Sequence, residues 1–367
     1  MKLVWKIDHA AFTSVVRSAV SRLVLRLGFV VLVVLSLLVG LLRPPTTLAG
    51  GLDIWTNRAS GTTYQLDGVT YGKGQFVAVG QAPFPGSGTI LTSPDGVNWT
   101  SRDSGTPNPL AAVAYGNGLF VAVGSGELVV GGTILTSPDG VTWTGQPSPN
   151  TVGNYLNAIT YGNGLFVIVG IGGAILTSAD GMTWIDRSLD THNAPLNGVT
   201  YAGGQFVAVG GDFIGYSFIF TSPDGINWTN RNSGVEDSLY AVAYGNGVYV
   251  VTGPYDFNTG QPIILTSPDA ISWTSRVLFT TSSSLDSVAY GIGEFVAVGG
   301  LDTGTTSLLI TSVDGVTWTR MNSATQYGLV SVINNGTTFV AVGANGTIIQ
   351  SGARRRHKQK QPALLHH

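Results

Sequence analysis

The chain has 367 residues, of which 51 are Gly and none is Cys, so disulfides, thiolate metal sites and a Cys nucleophile are excluded. Charged residues make up 10 % of the chain, against about 25 % in an ordinary soluble domain. The formal net charge is −2, but residues 51–352 hold 7 basic and 19 acidic residues. An acidic surface of this kind argues against nucleic-acid binding, because phosphate groups need a positive field.

The first predicted element is an apolar segment near the N-terminus. Leu27–Leu42 runs for sixteen residues without a charge, and five basic residues precede it. A helix of this length spans about 24 Å, short of the ~30 Å hydrocarbon core, which suits a signal peptide cleaved after Ala49. A membrane anchor that also uses Leu23–Leu25 is the alternative. Under both interpretations residues 1–50 are the only part that contacts the membrane, and the chain is exported from residue 51 onward.

Beyond residue 50 the sequence repeats itself. Seven of the eight Trp residues recur at spacings of 41–45 residues, a period that indicates a propeller or a solenoid. These residues are Trp55, Trp99, Trp143, Trp184, Trp228, Trp273 and Trp318. Each copy also contains four short β-rich runs separated by Gly and Asn or Asp turns. In the second copy they fall near Ala111–Tyr115, Leu119–Gly124, Thr133–Ser137 and Thr142–Thr144, the plan of a propeller blade.

The two ends of the array predict how the ring closes. The last copy has strands near Val330–Ile333, Phe339–Gly343 and Thr347–Ser351 and then stops. Its missing fourth strand is found at the opposite end, in Asp53–Arg58. We therefore predict an all-β fold, a seven-bladed β-propeller of four antiparallel strands per blade over residues 51–352, closed by the N-terminal strand. Residues 353–367, with five basic residues and no acid, are expected to form a disordered tail.

A turn of the type Ser-Pro-Asp-Gly-Val-Thr-Trp precedes the Trp in six copies. Its aspartate can cap backbone N–H groups of its own turn, and Gly supplies a positive φ. The six aspartates are Asp95, Asp139, Asp180, Asp224, Asp269 and Asp314. This turn resembles the Asp-box, or BNR, repeat of sialidase-like propellers, although it is one residue shorter. The chain is also similar to propellers of the photosystem II assembly factor type. The resemblance implies that the six aspartates are structural and not catalytic.

The resemblance to sialidases does not extend to their active site. That site needs an Arg-Ile-Pro sequence and three convergent arginines, and this chain has no Arg-Ile-Pro. Six of the seven repeated Trp residues are followed two or three positions later by an arginine, which predicts that these arginines lie on the outer rim. They are Arg58, Arg102, Arg187, Arg231, Arg276 and Arg320. His192 is the only propeller His, and no phosphate-binding loop occurs. We expect no catalytic residue, metal or cofactor, while a glycosidase carboxylate pair stays an open alternative.

Function is expected on one face of the propeller. The strand 2–3 and strand 4–1 connections lie together on that face and vary between copies, whereas the other turns are nearly identical. A unique ligand needs unique residues. The two richest variable loops, Gly211–Ser217 and Pro254–Pro262, contain most of the predicted site residues, and the connection between their blades contains the other two. The residues in the loops are Asp212, Phe213, Tyr216, Tyr255, Asp256, Phe257 and Asn258, and those in the connection are Glu236 and Asp237. The leading hypothesis is an exported, non-catalytic propeller that binds a protein or a glycan. The alternatives are an extracellular carbohydrate-active enzyme and, on resemblance, a membrane-tethered photosystem assembly factor.

Overall fold

The computed structural model describes residues 52, 54–81, 88–126, 131–149, 155–212, 216–256, 259–279, 281, 283–302 and 306–352. The predicted export segment 1–50 and the predicted tail 353–367 lie outside these residues. Three of the predicted site residues, Phe213, Phe257 and Asn258, lie outside them as well.

The described chain forms seven four-stranded antiparallel sheets, as predicted. Each sheet is one blade, numbered here in chain order, and its strands run from the centre of the ring to the rim. The strands of blades 1 to 3 are β2 (Leu66–Gly72), β3 (Gln75–Gly80), β4 (Thr89–Ser93) and β5 (Thr100–Arg102); β6 (Leu110–Gly116), β7 (Leu119–Gly124), β8 (Thr133–Ser137) and β9 (Thr144–Gln146); and β10 (Leu156–Gly162), β11 (Leu165–Gly170), β12 (Ile175–Ser178) and β13 (Ile185–Asp186).

Blades 4 to 6 follow the same order. Their strands are β14 (Leu196–Ala202), β15 (Gln205–Gly211), β16 (Ser217–Ser222) and β17 (Thr229–Arg231); β18 (Ala241–Gly245), β19 (Val248–Asp256), β20 (Gln261–Ser267) and β21 (Thr274–Ser275); and β22 (Ser287–Gly291), β23 (Glu294–Asp302), β24 (Thr306–Ser312) and β25 (Thr319–Arg320).

Blade 7 is built from both ends of the described chain, which confirms the predicted closure. It contains β26 (Leu329–Asn334), β27 (Phe339–Gly343) and β28 (Ile348–Ser351), and its outer strand is β1 (Trp55–Arg58). β1 pairs with β28 antiparallel, with Trp55 opposite Ser351 and Arg58 opposite Ile348. The helical elements of the described residues are two 3₁₀ turns, Ile171–Gly173 and Ala344–Gly346. Within the described part of the chain, no helix is long and apolar enough to cross a membrane.

The core is a ring of seven apolar clusters, each lying between two neighbouring blades. The second strand of each blade supplies both of its interfaces, because successive side chains point to opposite sides of a strand. In β3, Phe76 and Ala78 pack toward blade 7, and Val77 and Val79 pack toward blade 2. The Trp of each turn packs against the preceding blade; Trp318 of blade 6, for example, joins the cluster shared with blade 5. The repeated sequence therefore encodes the repeated interface.

The fourth strands begin later than the sequence predicted. In blade 2 the prediction was Thr142–Thr144, and the strand is Thr144–Gln146. The reason is that Asp139 Oδ1 accepts hydrogen bonds from the backbone N–H groups of Val141 and Thr142 at 2.8 Å. These two residues are held in the turn, so they cannot join the sheet.

The two faces of the propeller differ in their connections. We call the face with the strand 1–2 and strand 3–4 turns the turn face, and the opposite face the variable face. On the turn face neighbouring blades are joined by hydrogen bonds; Lys73 Nζ of blade 1 donates to the carbonyl of Pro138 in blade 2 at 3.0 Å. On the variable face the N–H of Gly88, in a strand 2–3 connection, donates to the carbonyl of Thr106, in a strand 4–1 connection.

Candidate binding face

The repeated aspartates of the turn face are used by their own turns. In blade 1, Asp95 Oδ1 accepts the Ser93 hydroxyl at 3.0 Å and the backbone N–H groups of Val97 and Asn98 at 2.8 and 2.9 Å. Trp99 Nε1 then donates to the carbonyl of Gly96 at 3.1 Å. The same bonds recur at the other five aspartates, which gives each of them a structural role.

These backbone bonds keep the turn aspartates ionised. The backbone N–H groups of the second and third residues after each aspartate stabilise the carboxylate and hold the pKa values of Asp95, Asp139, Asp224 and Asp269 below their usual range. For Asp180 they lower the pKa to about 2. At Asp314 desolvation opposes the same bonds, yet its pKa is also lowered. A group stabilised this way is a poor general acid or base near neutral pH.

On the variable face, the predicted residues Asp212 and Tyr216 belong to a small hairpin turn of blade 4. The N–H of Tyr216 donates to Asp212 Oδ1 at 3.0 Å, and the N–H of Asp212 donates to the carbonyl of Tyr216 at 2.8 Å. The Tyr216 ring stacks on His192, with centroids 5.4 Å apart, and is parallel to Phe218. Because His192 precedes blade 4 and Phe218 packs in the cluster shared with blade 3, Tyr216 lies on the side of blade 4 that faces blade 3.

Three of the other predicted residues, Glu236, Asp237 and Asp256, lie near one another between blades 4 and 5. Glu236 and Asp237 lie in the connection between these blades, and Tyr255 and Asp256 end β19. Desolvation raises the pKa of Asp237, and the nearby carboxylates of Asp256 and Glu236 raise it further. Thr259 Oγ1 donates to Asp256 Oδ2 at 2.9 Å. The structure thus brings Glu236, Asp237 and Asp256 together as one group, called here the acidic cluster.

The strand 4–1 connections are less variable than the sequence analysis expected. Four of them contain a buried Ser whose hydroxyl donates to the carbonyl two residues later, so they share one backbone turn. These residues are Ser60, Ser104, Ser233 and Ser323. The prediction that the connections differ in chemistry is therefore wrong for this turn, and the differences are confined to the residues around it.

The central channel of the propeller opens on the variable face. It has a volume of about 400 Å³ and is lined by the first strand of every blade. Each blade has a Leu at or just before the start of its first strand. The residue after this Leu lies at the variable-face end of the channel, because the first strands begin at that face. In chain order these residues are Asp67, Ala111, Asn157, Asn197, Tyr240, Asp286 and Val330. We call this ring the channel mouth.

Five of the seven mouth residues are polar, and the sequence analysis missed all of them. Asn157 Nδ2 donates to the carbonyl of Leu196 at 3.0 Å, and Asn197 Nδ2 donates to the carbonyl of Leu239 at 2.9 Å, so both asparagines join neighbouring blades. Burial raises the pKa of Tyr240 to about 12, and the carboxylates of Asp286 and Asp237 contribute to this rise. Tyr240 therefore connects the channel mouth to the acidic cluster.

The two mouth aspartates are partly buried. Desolvation raises the pKa of Asp67, against hydrogen bonds from Gln65 and Gln81 that lower it. Desolvation also raises the pKa of Asp286, whose Oδ1 accepts the Ser284 hydroxyl at 2.7 Å. Perturbed carboxyl groups of this kind concentrate at functional sites. The sequence signal that could have identified Asp67 and Asp286 is a polar residue at a position that would be identical in every copy if the repeat alone determined it.

Positive charge lies away from the mouth. The described residues that line the channel include neither Lys nor Arg. The arginines lie in the outer strands or directly after them, as predicted. Arg102 Nε and Arg231 Nε, for example, each donate to a Thr hydroxyl of the neighbouring strand at 2.9 Å. Arg320 pairs with the buried Asp302. Among the described residues there is also no group of three or more His, Asp or Glu side chains arranged to hold a metal ion.

Comparison with known proteins gives a fold and no family. No family model matches the chain, and no curated protein matches it. Among solved structures it is similar to YCF48 from Cyanidioschyzon merolae, at 16 % identity and a TM-score of 0.59 over 81 % of this chain and 98 % of that one. It is also similar to YCF48 bound to D1 peptide, at 17 % identity and a TM-score of 0.61 over 82 % of this chain and 96 % of that one.

A third similar structure is a catalytically inactive variant of virginiamycin B lyase from Staphylococcus aureus with quinupristin. It has 12 % identity and a TM-score of 0.64 over 82 % of this chain and 99 % of that one. The three proteins share the propeller with this chain. At such low identity the likeness is one of fold alone, since one fold serves many functions.

Proposed function

We propose that this protein is a non-catalytic propeller that binds a cationic segment of another protein at the channel mouth and the adjoining acidic cluster. The observation that carries the proposal is the distribution of charge on the variable face. Asp67 and Asp286 lie at the mouth, Glu236, Asp237 and Asp256 lie beside it, and the described lining of the channel holds no Lys or Arg.

Electrostatics favours a Lys or Arg side chain in this position. The carboxyl groups of Asp67, Asp237 and Asp286 are partly desolvated, and each has a raised pKa. A cation placed among them would offset the cost of keeping them ionised, and its attraction would be stronger than in open water. A cleft lined by one sign of charge also raises the rate at which an oppositely charged partner arrives.

Structural likeness supports a protein partner. The structure of YCF48 bound to D1 peptide shows that a propeller of similar fold holds a peptide. From this structure we take for the present chain only the proposal that its propeller serves as a platform for peptide binding. The kinship of the Ser-x-Asp turns with the Asp-box repeat and a role as a membrane-tethered assembly factor are further proposals that rest on resemblance.

The test begins with an array of synthetic peptides that carry one or two Arg or Lys residues in varied neutral contexts. Peptides that the full chain retains are measured by fluorescence anisotropy. The double variant Asp237→Asn, Asp286→Asn should weaken their binding by at least about tenfold, since each lost carboxylate removes a charge contact.

The matched control removes the same charge from the other face. The double variant Asp139→Asn, Asp180→Asn changes two turn aspartates and should leave the affinity within about twofold, because distant charges are screened by salt. Equal weakening by both pairs would contradict the proposed site, and so would an array on which neutral or acidic peptides bind best.

A second candidate is hydrolysis of a glycosidic bond, favoured by two carboxyl groups with raised pKa in one channel. A glycosidase uses one carboxylic acid to protonate the leaving oxygen and a second carboxylate as base or nucleophile, and Asp286 and Asp67 are the residues that could fill these roles. Reducing-end assays on a panel of soluble polysaccharides test it. Release of sugar that Asp286→Asn abolishes would support the enzyme and displace the binding proposal.

We also propose that the propeller functions outside the cytoplasm, as the apolar segment 27–42 and the basic residues before it suggest. Fusing residues 1–60 to alkaline phosphatase, which is active only after export, tests this in a bacterial host. The fusion should be active, and replacing Leu32 and Leu35 with Arg should abolish the activity. An inactive parent fusion present at the same level would contradict export.

A further inference from the structure

A second recess lies on the variable face above blade 7. It has a volume of about 840 Å³ and is separate in its lining from the channel mouth. Its walls are the connections that precede blades 7 and 1, and its floor is the strand 2–3 turn of blade 7. That turn is the three-residue Ala344–Gly346, whereas β19 and β23 continue into longer hairpins over blades 5 and 6. The short turn leaves the recess open.

Two tyrosines at equivalent positions flank this recess. Tyr64 and Tyr327 each lie two residues before the Leu that opens the first strand of a blade. The N–H of each donates to a Thr hydroxyl two residues earlier at 3.1 Å, so the same local turn presents both rings. The rings are 42 % and 48 % exposed. Elsewhere in the described connections this position holds Asn108, Ala194, Asp237 or Ser283, so paired aromatic rings distinguish this recess.

Besides the two tyrosines, the lining contains polar side chains together with Ala59, Ala324 and Ile348, and it carries no carboxylate. It includes the amides of Asn57, Gln326 and Asn345 and the guanidinium of Arg58. Arg58 Nε donates to Gln350 Oε1 at 3.1 Å, and the Nη groups of a guanidinium, which has five donors in all, can donate to a further acceptor. In a propeller whose residues 51–352 contain 19 acids, a recess lined without acids differs from the channel mouth and does not favour a cation.

We infer that this recess binds an uncharged oligosaccharide. A sugar ring has apolar C–H faces and a rim of hydroxyl groups. Exposed Tyr rings offer flat apolar surfaces for such faces at low entropic cost. Planar amide and guanidinium groups donate and accept hydrogen bonds in the directions that hydroxyl pairs require. The volume lies in the range of small-ligand sites, and rings on both walls suit a chain of several sugars better than one.

The experiment measures binding of neutral oligosaccharides to the full chain by isothermal titration calorimetry. The probes are cello-, chito-, malto- and manno-oligosaccharides of four to six sugars. We expect one series to bind, and the variants Tyr64→Ala and Tyr327→Ala each to weaken it by about tenfold, the usual value of an aromatic contact. Tyr64→Phe should retain the affinity within about threefold, because the ring face remains.

Control variants distinguish the loss of a sugar contact from unfolding of the protein and from an effect at the channel mouth. Tyr155→Ala removes a half-exposed Tyr from the connection before blade 3 and should leave sugar affinity unchanged, as should the pair Asp237→Asn, Asp286→Asn. The tyrosine variants should keep the parent's melting temperature. Failure of every series to bind at millimolar concentration would overturn the inference. Equal affinity in the double variant Tyr64→Ala, Tyr327→Ala, or binding lost only with the mouth variant, would do the same.

Discussion

The turn aspartates show how one carboxylate stabilises the tight turn between the third and fourth strands of a blade. Asp139 Oδ1 accepts the Ser137 hydroxyl and two backbone N–H groups, as an N-cap residue does for the start of a helix. The sequence predicted this role because the same residue returns in six copies at the same place. Asp67 and Asp286 could not be predicted in this way, because an aspartate at this position is not a regular feature of the repeat. Burial in the fold determines the environment of each.

We expect Asp139→Ala to lower the free energy of unfolding by about 1 kcal/mol, the typical cost of a lost cap. Asp139→Asn should cost less, because an amide oxygen can still accept the two N–H groups. Neither variant should change affinity for a cationic peptide. Urea unfolding followed by Trp fluorescence gives the stability, and a loss of affinity at unchanged stability would place the binding site on the turn face.

At pH 7 we expect Asp286 to lower the stability of the folded protein, and we attribute this cost to its proposed role in binding. Burial raises its pKa in the folded protein, so its contribution to stability is present below the unfolded value of about 4 and is lost as the pH rises through the folded pKa. Asp286→Asn, which cannot ionise, should therefore raise the melting temperature at pH 7 relative to the parent. The difference should shrink as the pH approaches 4.

Melting curves of both proteins between pH 4 and pH 8 measure this difference. The turn aspartates act in the opposite sense, because their lowered pKa values contribute stability that is lost at acid pH, but they are the same in both proteins. A pH-independent difference between the two proteins would mean that Asp286 is not desolvated.

At the scale of elements, blade 7 differs from the other six blades in the hydrogen bonding of its Trp, because it is built from both ends of the described chain. In blades 1 to 6 the Trp indole N–H donates to a turn carbonyl, as Trp318 Nε1 does to Gly315 at 3.0 Å. Blade 7 has no such turn among the described residues, because the chain ends take its place. Trp55 Nε1 is buried and has no hydrogen-bond partner in the described part of the chain. Trp55 contributes by packing against the blade 6–7 cluster, with its ring 6.5 Å from that of Phe339.

This difference predicts unequal costs for one and the same substitution. Trp55→Phe and Trp318→Phe remove similar apolar area from buried sites, but only the second removes a hydrogen bond and leaves the Gly315 carbonyl without its donor. Trp318→Phe should therefore destabilise the protein by about 1 kcal/mol more than Trp55→Phe. Equal losses in urea unfolding would show that Trp55 also has a polar partner.

The blades also show what sequence periodicity can and cannot predict about elements. Strand number, order and closure followed from the repeat, because each copy must bury the same face against its neighbours. The start of the fourth strand in blade 2 was placed too early, at Thr142, because this β-forming residue has a backbone N–H group that already donates to Asp139. Local hydrogen bonding by one side chain prevailed over strand propensity.

At the scale of the whole molecule, we propose that the two faces of the propeller have separate roles, one in stability and the other in binding. The turn face repeats one set of residues and joins neighbouring blades, as Lys73 does to Pro138. The variable face holds the residues that occur once: the channel mouth, the acidic cluster and the Tyr64–Tyr327 recess. Sequence analysis named Glu236, Asp237 and Asp256 as candidates from two separate connections, but it did not include Tyr240, whose raised pKa reflects burial and the nearby carboxylates of Asp286 and Asp237.

Photo-crosslinking tests the central claim, binding at the mouth of the variable face, most directly. A cationic peptide selected on the array is made with a benzophenone next to its Lys or Arg, irradiated with the full chain, and the attachment sites are read by mass spectrometry. We predict attachment within residues 232–241 and 283–288, around Asp237, Tyr240 and Asp286. Attachment to the turn segments 93–99 or 137–143 instead would contradict the account.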